Sequence, residues 1–267
     1  MSYEKLVQRV DTTELYGKKD GYHGDFTAAE TNPLKEINAW TYWQGIGVRH
    51  PRIMVLGQDW GNRQATEKYF CRIEEMLEAG IAEKDRVFSS AKVSGILKNN
   101  RNFDTDENLA KGFSKIKIHG EFPYTQVCDE KYPDLFFTNL IPGYRVSAKS
   151  TGGFKASWIT EQVRCDFKEL LNVLQPKIVI CLGKNTFIQA AKIYNHKNPL
   201  TGTNWNAYLS SDFEPIKITV DSHSNSSTFL YPMAHPGYFG KRNREKSVES
   251  MYDDWERLGE WMERHSI

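Results

Sequence analysis

The sequence predicts an α/β protein, a three-layer α/β/α sandwich with a mainly parallel central sheet of about four strands. Three observations carry that expectation. Short runs dense in large apolar residues recur at 53–56, 134–140, 177–183 and 229–234. The runs are too short for core helices, and they lack the alternation of a strand with one wet face, as in strands covered on both sides. Segments with apolar residues at helical spacing lie between the runs, at 63–79, 157–174 and 185–194, and another follows them at 245–264. Each apolar run also ends at a glycine or a polar residue, where an open parallel sheet places its ligand crevice.

A chain of 267 residues is long enough to bury a large core as one domain. We expect a single domain over 1–267, with 1–49 as an N-terminal extension and helix. The stretches 81–130 and 196–228 read as insertions or long connectors. Hydrophobic residues make up 39%, charged residues 26% and aromatic residues 13%, which excludes a disordered chain. The balance of 35 Lys+Arg against 34 Asp+Glu, formally +1, neither argues for nucleic acid nor excludes it, because the distribution of charge decides that. The four cysteines, Cys71, Cys128, Cys165 and Cys181, form no Cys-x-x-Cys pair and read as reduced thiols; no metal and no cofactor is expected. The N-terminus has no apolar core of signal-peptide length, and no stretch approaches a membrane span. The expected location is cytoplasmic or nucleoid-associated, not secreted and not membrane-bound, and the expected state is a monomer.

In order, residues 1–32 read as irregular around one short helix, and 34–49 as a helix and turn with Trp40, Tyr42 and Trp43 packed inward. The strand at 53–56 stops at Gly57, and Gln58 and Asp59 follow. Tyr69 or Phe70, with Ile73, Met76 and Leu77, marks the crossover helix, which Gly80 ends. Within 81–130, residues 99–107 read as a polar loop and 112–119 as a short exposed strand. The strand at 134–140 carries Asn139 near its end. Residues 147–155 form a loop with two glycines and two lysines, without the spacing of a P-loop. Trp158, Val163, Phe167, Leu170, Leu171 and Leu174 form the stripe of the helix at 157–174, which Pro176 closes. The strand at 177–183 leads through Gly183 into the next helix. Residues 216–220 alternate like an accessory strand, and 221–228 read as a loop. After the strand at 229–234 come His235 and Pro236, then a compact loop with Tyr238, Phe239 and a basic end, then the closing helix.

Asp59, Asn139 and His235 therefore all leave the carboxyl ends of strands and can converge although far apart in sequence. Singly, each serves equally well as a turn or cap residue. Together they offer an amide that donates and accepts, suited to the edge of a pyrimidine. They add a histidine able to donate to developing negative charge, and a carboxylate that can orient water, act as a base or stabilise a cation. No Gly-x-Ser-x-Gly elbow, His-Glu-x-x-His or kinase-like set is present.

On these residues the chain resembles the uracil-DNA glycosylase superfamily. Gly57-Gln58-Asp59 resembles its first motif, Phe137-Thr138-Asn139-Leu140 its central strand, and Ala234-His235-Pro236-Gly237 its second signature, in the family's order over roughly 50–260. The resemblance implies hydrolysis of the N-glycosidic bond of a damaged or modified base, most simply uracil, flipped out of DNA, the implied partner. It gives Asp59 and His235 catalytic roles: Asp59 stabilises an oxocarbenium-like sugar and positions water, and neutral His235 donates to the base O2. The backbone N–H of Gln58 adds to that donor. Asn139 reads the N3 and O4 edge, and Tyr69 or Phe70 stacks on the base. Tyr238 or Phe239 is the wedge that fills the vacated space, with Lys241, Arg242 and Arg244 at phosphates.

Two departures bear on specificity. Trp60-Gly61 stands where the best-known branch has proline and then a tyrosine that excludes a 5-methyl group, so Trp60 walls the pocket in another way and the accepted base stays open. Gly237 replaces a serine. Two other readings remain: a non-catalytic nucleic-acid-binding member of the same fold, and a hydrolase of free nucleosides or nucleotides.

Overall fold

A strand that is apolar on both faces is stable only with cover above and below, and the apolar runs meet that condition by pairing with one another. The computed structural model describes residues 23–27, 50–59, 104–118, 135–141, 144–145, 153–221 and 226–267. Its centre is a five-stranded sheet of β2 (Ile53–Gly57), β3 (Leu135–Asn139), β5 (Ile178–Leu182), β6 (Ile216–Asp221) and β7 (Ser226–Met233), in the order β3-β2-β5-β7-β6. Four strands run parallel, and β6 closes one edge antiparallel to β7. Two further strands, β1 (Phe26–Thr27) and β4 (Tyr144–Arg145), form a separate antiparallel ribbon, with Phe26 opposite Arg145.

The period of two along each strand sorts its side chains into two cores. Met54, Leu56, Phe136, Val179, Cys181 and Leu230 face one way. They meet α2 (Glu161–Leu174), through Phe167, Leu170 and Leu171, and α3 (Lys184–Ile193), through Phe187 and Ala190. Ile53, Val55, Phe137, Ile180 and Met233 face the other way. There they meet Leu109 and Phe113 of α1 (Asp104–Lys115) and Trp255, Leu258 and Trp261 of α6 (Tyr252–Arg264). Helices on both faces of a mostly parallel sheet make the three-layer sandwich the sequence predicts. Two short helices, α4 (Trp205–Ser210) and α5 (Tyr238–Arg244), complete the described part. No described helix is long and apolar enough to cross a membrane.

Several local expectations are corrected. The sheet has five strands because the accessory strand joins it as the antiparallel edge, and β7 begins at Ser226 inside the polar run expected to be a loop. The loop and exposed strand expected across 99–119 contain α1 instead. Leu109, Gly112, Phe113 and Ile116 recur at helical spacing and are buried, and burial on α6 outweighs the local alternation. The helix expected at 157–174 is two pieces: a 3-10 turn, Ala156–Trp158, then α2, whose N-terminus Thr160 caps by accepting from the Val163 N–H at 3.3 Å. The compact loop expected after His235 is α5, and the closing helix starts later, at Tyr252. The expected helices at 34–49 and 63–79 lie outside the described residues.

Gly112 shows how tightly α1 and α6 meet. A Cβ at that position would lie 2.4 Å from the Trp255 ring. Alanine in a helix interior normally gains about 1 kcal/mol over glycine, but overpacking a tight contact costs about 1–3 kcal/mol. Gly112→Ala is therefore expected to lower stability. Urea unfolding followed by tryptophan fluorescence checks this, and a midpoint above that of the wild type contradicts the contact.

Candidate active site

The sheet brings its polar ends together. Gly57 pairs with Asn139 across the β2–β3 register. Pairing continues past the strands, as Leu140 N–H donates to the Gly57 carbonyl at 2.9 Å and Ile141 N–H to the Gln58 carbonyl at 3.0 Å. Residues 57–59 are thus held against the end of β3. His235 follows β7, two positions from β2 in the sheet, or roughly 10 Å at ordinary strand spacing. The strand between them, β5, ends at Gly183, whose φ of +91° suits glycine and whose missing side chain leaves space beside His235 Cβ.

Asn139 owes its place to Gly57. A Cβ on Gly57 would fall 2.1 Å from Asn139 Oδ1, so only glycine lets the amide lie across the end of β2. Asn139 is 6% exposed, yet no hydrogen bond to its side-chain amide is found among the described residues.

His235 accepts a hydrogen bond at Nδ1 from the Gly237 N–H, at 3.0 Å. The proton of the neutral ring must then sit on Nε2, which makes that nitrogen a donor. Burial holds the imidazole below its ordinary value of 6.5, while the Asp59 carboxylate pulls it upward. The residue itself is exposed, so the neighbours that desolvate the ring leave part of it open to solvent. Its loop is fixed from two directions. Asn108 of α1 donates from Nδ2 to the Pro236 carbonyl at 2.7 Å, and Tyr252 of α6 donates its hydroxyl to Asn108 Oδ1 at 2.7 Å. From the other side α5 lies so close that a Cβ on Gly240 would sit 2.0 Å from the His235 carbonyl oxygen.

The Asp59 side chain, 3% exposed, is held by an arginine that sequence reasoning passed over. Arg145 donates from Nε to Oδ1 at 3.0 Å and from Nη2 to Oδ2 at 2.7 Å. The Gln58 side chain donates from Nε2 to Oδ2 at 2.8 Å. Arg145 sits six residues beyond Asn139, and an arginine beside a strand-end motif was the only signal available.

The remaining expected residues divide. Tyr238 and Phe239, 50% and 62% exposed, stand edge to face on α5 with ring centroids 5.3 Å apart. Arg242 is exposed on the same helix. Lys241 leans over the Tyr252 ring at 5.3 Å and lies 3.8 Å from Glu245. Arg244 departs from the expectation of a phosphate contact. It is 1% exposed and pairs through Nε and Nη2 with Asp254 at 2.7 and 2.8 Å, while Nη1 reaches Ser210 Oγ and the Asn206 carbonyl. It anchors α5 to α4 and α6. Trp60, Tyr69 and Phe70 lie outside the described residues.

The fold is an open, mostly parallel α/β sheet, a class whose members commonly bind ligands at the carboxyl ends of their strands, and here a carboxylate, an amide and a histidine stand at those ends. The chain matches the family model described as uracil DNA glycosylase superfamily over residues 44–259, and so it belongs to that superfamily. No curated protein matches the chain.

The two influences on His235 can be separated. Its titration, followed by NMR of the ring protons, is expected to fall below 6.5. Asp59→Asn removes the charge that raises it and is expected to move it lower still; an upward move contradicts the electrostatic link between the two residues.

Proposed function

We propose that this protein is a DNA glycosylase that hydrolyses the N-glycosidic bond of uracil or a related modified base, acting as a single glycosylase domain. The superfamily match supports a glycosylase in general. The observation that carries the finer reading is the open Asn139 amide lying against Gly57. An amide donor and acceptor side by side complements the O4 and N3–H edge of uracil. Cytosine presents a donor and an acceptor in the reverse order.

With the nucleotide turned out of the helix, the C–N bond lengthens first, leaving positive charge on the sugar and negative charge on the base. His235 donates its Nε2 proton as a hydrogen bond to the base O2, where that charge gathers. Remaining neutral, it needs no proton supply near neutral pH. Asp59 contributes a negative charge and an oxygen of fixed position, stabilising the sugar cation and orienting the water that attacks it. The exposed pair Tyr238 and Phe239 suits the wedge that fills the gap in the stack, with Arg242, and Lys241 once released from Glu245, at neighbouring phosphates. Trp60 is proposed to wall the pocket, and Tyr69 or Phe70 to stack on the base.

One observation favours a second reading. The Asp59 carboxylate is already engaged by Arg145 and Gln58, which suits a binding-only member that recognises the base without cleaving it.

The test is a cleavage assay on single-stranded and duplex oligonucleotides carrying uracil, hypoxanthine, hydroxymethyluracil or a thymine mismatch, read by alkaline strand scission. We expect abasic product with uracil, and a loss of about 100- to 1000-fold for His235→Ala, the scale for removing one such donor. Asp59→Asn is expected to lose at least as much. DNA binding without product on any substrate selects the second reading, and cleavage of free nucleosides without DNA binding selects a nucleoside hydrolase.

Selectivity gives a separate check. Asn139→Asp is expected to lower the ratio of uracil to cytosine cleavage. Gly57→Ala is expected to weaken uracil binding by driving the Asn139 side chain from its place. A ratio unchanged in active Asn139→Asp means that Asn139 does not read the base edge.

A further inference from the structure

The pair formed by Asp59 and Arg145 is part of a longer assembly. The two parallel bonds from one guanidinium fix the carboxylate in plane and in rotation, which a single point charge cannot do. Arg145 is itself fixed from behind. Its guanidinium lies 4.9 Å from the centre of the Trp158 ring, and the Trp158 indole donates from Nε1 to Asp25 Oδ2 at 2.7 Å. Lys155 donates to the same oxygen at 2.8 Å. Phe26 closes the assembly by standing edge to face on Trp158 at 5.1 Å and by pairing with Arg145 across β1 and β4.

We propose that Arg145 is a positioning residue that sets the orientation of the Asp59 carboxylate, and that the ribbon of β1 and β4, with Trp158 and Asp25, is its mount. The inference rests on the glycosylase reading and adds to it the residue that makes Asp59 effective. Both carboxylate oxygens are bonded to the guanidinium, so Asp59 acts through a fixed charge and a fixed oxygen rather than as a swinging base. It also gives the segment 23–27, which lies far from the motifs in sequence, a part in the chemistry.

Arg145→Lys keeps the charge and loses the two-pronged geometry, so it is the informative variant. Arg145→Ala leaves a buried carboxylate without its cation and is best read beside a thermal melt. In the full-length chain on a uracil oligonucleotide, Arg145→Lys is expected to lower kcat about 100-fold, the scale of a small misplacement of a reacting group, with KM within about twofold and an unchanged melting temperature. Trp158→Phe keeps a ring beneath the guanidinium but loses the bond to Asp25, and is expected to give a smaller fall in kcat of the same kind. Millimolar guanidinium chloride added to Arg145→Ala is expected to restore part of the rate, which a general loss of structure would not allow. Wild-type kcat in Arg145→Lys overturns the proposal while leaving the glycosylase reading in place, as does a fall matched by an equal loss of binding. A wild-type chain inactive on every substrate overturns both.

Discussion

The close approach of the first two parallel strands governs much of what stands above them. Because β2 and β3 pair in register, Gly57 lies directly opposite Asn139, and the backbone bonds from Leu140 and Ile141 carry that pairing into the loops. The register has a steric condition. Asn139 occupies the volume that a side chain at 57 would need, so the amide, the glycine and the carboxylate two residues further on form one unit. Slipping the register by one residue would turn every side chain of the strand to the opposite face and remove both core and site together. Folding and the arrangement of the crevice therefore depend on the same contact.

Above that unit, neighbouring polar groups are fixed by different parts of the chain. The histidine loop hangs from α1 and α6 through Asn108 and Tyr252, whereas the aspartate is braced by the ribbon that includes residues 26 and 27. Segments that look peripheral in the sequence thus bear on the centre. Buried hydrogen-bonded networks of this kind confer rigidity only when each member is satisfied. Asn108, Tyr252, Arg145 and Trp158 each meet an acceptor outside their own element, so a change in one segment bears on the loop that the segment supports.

The parts that could be read from the sequence are those encoded locally. The four buried runs announce themselves because covered strands are apolar without interruption, and Gly57, Asn139 and His235 stand where such runs stop. The helix carrying Phe113 was hidden, because Lys115, Ile116, Lys117 and Ile118 alternate like a strand, and only the Trp255 surface beneath Gly112 decides in favour of helical burial. Arg145 was hidden for a different reason. Its partner lies 86 residues away, and no spacing rule reveals a contact made between a loop and a two-residue ribbon. Arg244 misled through composition: a basic run on a surface helix suggests phosphates, but the helix turns one of its members inward to Asp254.

The short helix α5 is attached at both ends. Its first turn presses on the His235 carbonyl through the bare backbone of Gly240, and its last residue is clamped by Asp254. An element held at both ends leaves little freedom to the backbone between them. Gly240 leaves no room for a side chain against the His235 carbonyl, so the backbone that presents the exposed Tyr238 and Phe239 rings is the same backbone that confines the histidine.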